Sequence, residues 1–420
     1  VFAGPERSET AQPEKEPLPS ISDCATHLEL LETFFVLRQK VLRTADLDAA
    51  FGIEEKHEVK TGRRGETKKM KDATLWNRRQ AKWTKFVELA TIRFLVWRAA
   101  CQKDWSPFRL PPVDVLMVWH AFLLNPRLFA THCGKEMLYR VSFPWSLIHR
   151  YVDNNKWKFT LPDTAAETFE TKTGLTSDLF GELARFKDEK MERLGHESLY
   201  ESWANLELKK DLAMPEWIRK MREDSEIYKH FSALSIVDID LATQLRDAVI
   251  RQGSFVEKMS NLMWIRSPAL SGTLTRAVDR YGRFLHLMKL YPEQMLVPTL
   301  DIDLAWHTHQ CSAVGYRKGT QERAGRFVNH DDTIVDNKLT DGFKDTRRLY
   351  RVHFGREYKV CGCWDCEALL SGVEEAMEAR KESGEVPDMA AVVRKVEDDV
   401  MYYRIVEVAR RKKKPLPLRG

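Results

Sequence analysis

Long apolar runs are missing from this 420-residue sequence. No stretch approaches the ~20 apolar residues that a membrane-crossing helix needs. The longest candidate, Val115 to Leu124, is short and contains His120. A dominant charge is missing too: 67 basic against 62 acidic side chains leave +5, too mild to imply nucleic acid. Glycine at 20 and proline at 17 exclude a collagen-like or low-complexity chain. The 7 cysteines are odd in number, and Cys24, Cys101, Cys133 and Cys311 are scattered, so they form no disulfide framework. No Asn-x-Ser/Thr sequon occurs. These features favour a cytoplasmic or nuclear protein. The first residue is Val1, which leaves an upstream targeting segment open. Also absent are GxxxxGK followed by Ser or Thr, GxGxxG and GxSxG, while His57-Glu58 and His196-Glu197 lack the second His of HExxH.

What is present is globular: 43% hydrophobic and 31% charged residues can build a sizeable core. The length allows two or three domains, or one built from a duplicated unit. The dominant period is helical. Thr26 and Glu29 form a capping-box pattern ahead of a face of Leu28, Leu31, Phe35 and Leu42. Trp83, Phe86, Ala90, Phe94, Trp97 and Cys101 make a second face. Further helices are expected over 113–124, 175–194, 236–258, 274–288, 339–354, 366–381 and 389–403. Residues 53–73 read as an exposed loop, and short strands are expected only around 326–336. The expected organisation is a disordered lead-in (1–20), an N-terminal helical half (21–195), a hinge (196–235), a C-terminal helical half (236–370), and a final helix with a basic tail (371–420).

The most informative feature is self-similarity. Residues 111–129 read PPVDVLMVWHAFLLNPRLF and residues 298–316 read PTLDIDLAWHTHQCSAVGY. Pro111 meets Pro298, Asp114 meets Asp301, Trp119 meets Trp306 and His120 meets His307. Upstream, Arg93-Phe94-Leu95 resembles Arg283-Phe284-Leu285 after a three-residue offset. The expected fold is mainly α, a helical bundle with an internally duplicated helix–Pro turn–helix unit. Asp114 and Asp301 are expected to cap helices. Together with Trp119, His120 and Trp306 they make a structural polar network.

The second copy differs from the first where chemistry enters: Leu116 becomes Asp303 and Phe122 becomes His309. Asp303 and His307 are four apart and share a helix face, a spacing that chelates a metal or forms an acid–base pair. His309 lies roughly 200° around the helix from His307, so both bind one ion only if the helix distorts. His330 and Asp331, followed by Asp332, complete a candidate site if the chain folds back. The competing reading is a satisfied polar network. Cys361, Cys363 and Cys366 offer soft ligands for zinc, with His353 as a candidate fourth; the alternative is reduced thiols at a helix start. The run Arg410 to Lys414 reads as a solvated tail that suits a helix C-terminus, or as a nuclear signal or anion contact.

With these segments identified, the sequence resembles the glycine-rich domain-containing protein-like family, formerly a domain of unknown function, in its fungal branch. The resemblance rests on VPTLDIDLAWHTHQ at 297–310, Tyr316, NHDDTIVDNKL at 329–339, GF at 342–343 and HFGREY at 353–358. RQGSFVEKM at 251–259, WIRSPAL at 264–270 and CGCWDCE at 361–367 carry the fungal likeness. It covers about 236–370, and more weakly 78–130. It implies an association with growth and with osmotic or hormone-linked stress responses, suggested RNA binding and no established catalysis. The Pro usual after WHTHQ is replaced by Ala313.

Three readings follow. The first is a non-enzymatic helical protein acting through a protein partner. The second is a metal-dependent enzyme or metal-binding protein using zinc or another divalent ion. The third is an RNA-binding protein using residues 60–71 and 410–414, with salt-sensitive affinity.

Overall fold

The computed structural model describes residues 16–56, 58–61, 67–103, 106–185, 238–330 and 336–419. The fold is mainly α. The first half supplies α1 (Ile21–Arg43), α2 (Leu75–Lys103), α3 (Val113–Leu123), α4 (Pro126–Cys133), α5 (Met137–Arg140), α6 (Trp145–Tyr151), α7 (Asp163–Thr173) and α8 (Leu179–Arg185). The second supplies α9 (Ile239–Leu262), α10 (Leu270–Leu290), α11 (Leu300–Gln310), α12 (Ala313–Ala324), α13 (Asp336–Phe354), α14 (Trp364–Ser383) and α15 (Met389–Arg411). No single helix among the described residues is long and apolar enough to cross a membrane.

Several local expectations change. Helix α1 starts one and a half turns before the Thr26–Glu29 pattern, because Ser20 caps it by accepting from the Asp23 N–H at 3.0 Å. The stretch read as a loop contains an antiparallel hairpin, β1 (Glu58–Thr61) with β2 (Thr67–Met70). A second small hairpin pairs β3 (Val152–Asp153) with β4 (Lys158–Phe159). No strand lies in the described part of 326–336. The expected hinge at 196–235, and residues 1–15 of the expected lead-in, lie outside the described residues. Residues 16–20 run against α12: the Glu16 N–H donates to Glu322 at 2.8 Å, and Arg323 donates to the Glu16 carbonyl at 2.9 Å.

The two halves interlock. Helix α9 packs on α2 and α3, while α1 packs on α10 and α11 as well as on α2. One core accordingly runs from Cys24 and Leu28 of α1 through Trp119 and Phe122 to Leu245, Leu304 and Cys311. A second core gathers Tyr281, Phe284, Trp306, Tyr316, Tyr350 and Tyr358.

The helix pairs α2–α3 and α10–α11 share a set of contacts at one constant offset in residue number. Arg93 Nε donates to Asp114 Oδ2 at 2.6 Å, and Arg280 Nε to Asp301 Oδ2 at 2.6 Å. Asp114 and Asp301 are therefore ion-pair partners inside the bundle, not caps, and the counterpart of Arg93 is Arg280, not Arg283. Trp97 meets Trp119 with ring centroids 5.6 Å apart, and Phe284 meets Trp306 at 5.6 Å. Phe94 meets Phe122 edge-on at 6.0 Å, and Tyr281 meets His309 edge-on at 5.7 Å. Pro126 and Ala313 each open the following helix. Proline suits a first helical position because that N–H has no intrahelical partner, and alanine fits there equally well.

Candidate metal centre

Helix α11 places Asp303 and His307 one turn apart on one face. The third group comes from the chain leaving α12. Gly325 ends that helix at φ +73°, the left-handed conformation that glycine adopts without strain. Three anchors hold the return. Tyr316 Oη donates to the Val328 carbonyl at 3.0 Å, Arg326 donates to the Met288 carbonyl at 2.8 Å, and the Arg127 N–H donates to Asn329 Oδ1 at 3.3 Å. The path delivers His330 to Asp303 and His307. His307 Nε2 lies 3.2 Å from His330 Nε2 and 3.3 Å from Asp303 Oδ1, and His330 Nε2 lies 3.5 Å from Asp303 Oδ1. The rings are braced edge-on, His307 against Phe255 at 4.5 Å and His330 against Trp306 at 5.0 Å.

The His307 side chain is 1% exposed, whereas Asp303 and His330 keep 19% and 12%. The ligand oxygen itself, Asp303 Oδ1, is buried and accepts no hydrogen bond among the described residues. Burial alone would raise the Asp303 carboxyl, but His307, His330 and Lys258 together hold it below its usual value. Among the described residues, Asp303, His307 and His330 are one of the sets whose ligand atoms converge closely enough for one ion.

His309 is not part of this set. It points to the opposite side of α11, where its Nδ1 meets Tyr281 Oη at 2.9 Å and its ring packs against Tyr316. A Cβ on Gly319 would fall 2.9 Å from that ring, so the site needs glycine. Burial pulls the imidazole of His309 down to about 4. The helix stays regular at His309, which is why residues 307 and 309 diverge. Asp331 and Asp332 lie outside the described residues.

Behind His307 is a buried imidazole pair. His27 Nε2 lies 2.8 Å from His120 Nε2, and His27 Nδ1 lies 2.9 Å from Thr308 Oγ1. The Thr308 hydroxyl donates to the Leu304 carbonyl at 2.7 Å, so it accepts from His27 Nδ1–H. His120 must then donate Nε2–H to His27. Burial, reinforced by repulsion from His120 and His307, holds His27 well below its ordinary value. Burial and His307 bring His120 to about 3. Both are neutral at physiological pH. Of the expected polar network, His120 takes part in this pair, and Trp306 Nε1 donates to Tyr316 Oη at 2.8 Å. Trp119 packs among aromatics instead: its Nε1 finds no acceptor among the described residues, and Phe143 lies edge-on at 4.9 Å.

Residues 178–319 match the model of the glycine-rich domain-containing protein-like family. Over this region, about a third of its length, the chain is similar to that family. Two proteins from Arabidopsis thaliana are also similar to this chain. Glycine-rich domain-containing protein 2 is 28% identical over 261 residues, and glycine-rich domain-containing protein 1 is 29% identical over 264. Each alignment covers 60% of this chain and 26% of the relative. The chain thus spans about a quarter of the length of these curated relatives. No solved structure matches. The matched region includes Asp303, His307 and His309 and stops short of His330.

The second converging set is Cys361, Cys363 and Cys366, beyond the family match. His353, the expected fourth ligand, is engaged elsewhere: its Nε2 lies 2.5 Å from Tyr291 Oη. Arg410 and Arg411 of the basic tail pair with Glu407 at 3.9 and 3.0 Å. Residues 62–66, within the stretch named for RNA contact, lie outside the described residues.

Proposed function

We propose that this chain is a metal-binding protein whose principal centre is Asp303, His307 and His330, with zinc as the ion. The observation that carries the proposal is the triangle of ligand atoms with edges of 3.2, 3.3 and 3.5 Å. A tetrahedral ion with bonds of ~2.0–2.1 Å sets its ligand atoms ~3.3–3.4 Å apart, whereas an octahedral ion of that size needs ~3.0 Å. Imidazole nitrogens and a carboxylate oxygen are donors that a divalent ion such as zinc takes. Three protein ligands leave a fourth position for water or a small ligand, the pattern of reactive zinc sites.

We further infer that the two helix pairs descend from one duplicated hairpin, in which the second copy acquired the ligands. His120 occupies the place of His307, but Leu116 stands where the ligating carboxylate would be. The recurring arginine–aspartate and aromatic contacts support this reading. A partner-binding role draws support only from exposed apolar side chains such as Met377 and Met401, which specify no partner. A growth or stress role and RNA binding rest on the family resemblance and on no residue of this site.

Elemental analysis of the purified chain tests the proposal. One equivalent of zinc per chain should disappear on His307→Ala and on His330→Ala. Metal content unchanged by both substitutions, or a wild-type chain that takes up no zinc from buffer, overturns it.

A further inference from the structure

We propose that Cys361, Cys363 and Cys366 form a second, independent site for one thiophilic d10 cation, copper(I) or zinc(II). The three sulfurs lie within 4.8 Å of one another on a single turn at the start of α14. Three thiolates around one ion at ~2.3 Å stand about 3.8–4.0 Å apart, so a small closure of the side chains suffices.

The loop that carries them is fixed from both sides. Trp264 Nε1 donates to the Gly362 carbonyl at 2.7 Å, and Trp364 Nε1 donates to the Leu262 carbonyl at 2.9 Å. Gly362 turns the chain at φ +72°, and a Cβ there would meet the Trp264 ring at 3.2 Å. The two indoles thus staple the thiol turn to the end of α9.

Of the neighbouring carboxylates, Glu367 pairs with Arg276 at 2.6 Å, and Asp365 pairs with Arg404 at 2.6 Å while also contacting Cys363. The converging donor atoms are the three sulfurs, which select soft ions over magnesium or calcium. Among the described residues no fourth side chain joins the three, so the set suits a three-coordinate copper(I), or a zinc ion completed by solvent. Binding exchanges the S–H protons for metal–sulfur bonds and releases the protons to the buffer; no electron is transferred.

The test uses the full chain carrying His307→Ala, which separates this site from the Asp/His centre. The reduced protein is titrated without oxygen, with copper(I) in one arm and zinc(II) in the other, against a chromophoric chelator. One equivalent should bind, and Cys363→Ser should weaken it at least tenfold. In the unsubstituted chain, the bound ion should also protect three thiols from alkylation, counted by mass. Uptake indifferent to Cys361→Ser, Cys363→Ser and Cys366→Ser overturns the proposal. So does full alkylation in the presence of either ion. The arm that survives the stronger chelator identifies the ion.

Discussion

Single residues divide into those the spacing announces and those it hides. Asp303 and His307 were legible because an i, i+4 pair declares a shared helix face. His27 was not, since it meets His120 and Thr308 only through packing between elements far apart in sequence. Arg280 was obscured by the better local likeness of Arg283-Phe284-Leu285, although the buried ion pair falls on Arg280. These pairs carry a prediction. Arg93 and Asp114 side chains are 0% and 4% exposed, so Asp114→Ala leaves a guanidinium in the core. It should cost about 3–5 kcal/mol in urea denaturation. Asp301→Ala should cost less, because that pair is less deeply buried, with Arg280 10% and Asp301 8% exposed.

At the scale of elements, helices with a strong apolar face were visible in the sequence, and the hairpins were not. Strands β1 and β2 are four residues each and rich in Lys, so no period-two apolar pattern marks them. The return of the chain after α12 was equally unreadable: a glycine stop and three hydrogen bonds aim His330, and none follows from periodicity. That return gives the metal centre a mechanical role. Bound at the proposed centre, zinc would tie α11 to the segment behind α12 and should raise the melting temperature. At a hundredfold excess over Kd the linkage is about 2.7 kcal/mol. A thermal melt with and without zinc, on a chain carrying Cys363→Ser to silence the cysteine site, should show the shift, and none when His330→Ala is added.

The whole molecule titrates through its interior. His27 and His120 are neutral in the fold and have folded-state values far below the ordinary 6.5, because of burial and their neighbours. Below pH 6.5 the unfolded chain therefore binds more protons at these two positions. Stability is lost as pH falls from 6.5 toward 3, at up to ~1.4 kcal/mol per unit for each imidazole. Glu32 works in the opposite sense. Burial raises its carboxyl from 4.5 to about 7, so its contribution fades as pH rises through that interval. Two imidazoles outweigh one carboxyl, and net stability should fall on acidification. Urea midpoints at pH 7 and pH 5 should show it, and the His27→Phe, His120→Phe double variant should flatten or reverse the slope. The interlocking of α1 with α10 and of α9 with α2 couples these buried groups to both halves.

The uneven burial of the three side chains bears on how an ion would leave the proposed centre. His307 is 1% exposed and braced by Phe255, whereas Asp303 and His330 keep 19% and 12%. Release that begins with His330 would tie the residence time to the stiffness of the chain around Arg326 to Asn329. Loosening one of those tethers would shorten the lifetime of the bound ion while leaving its coordination unchanged.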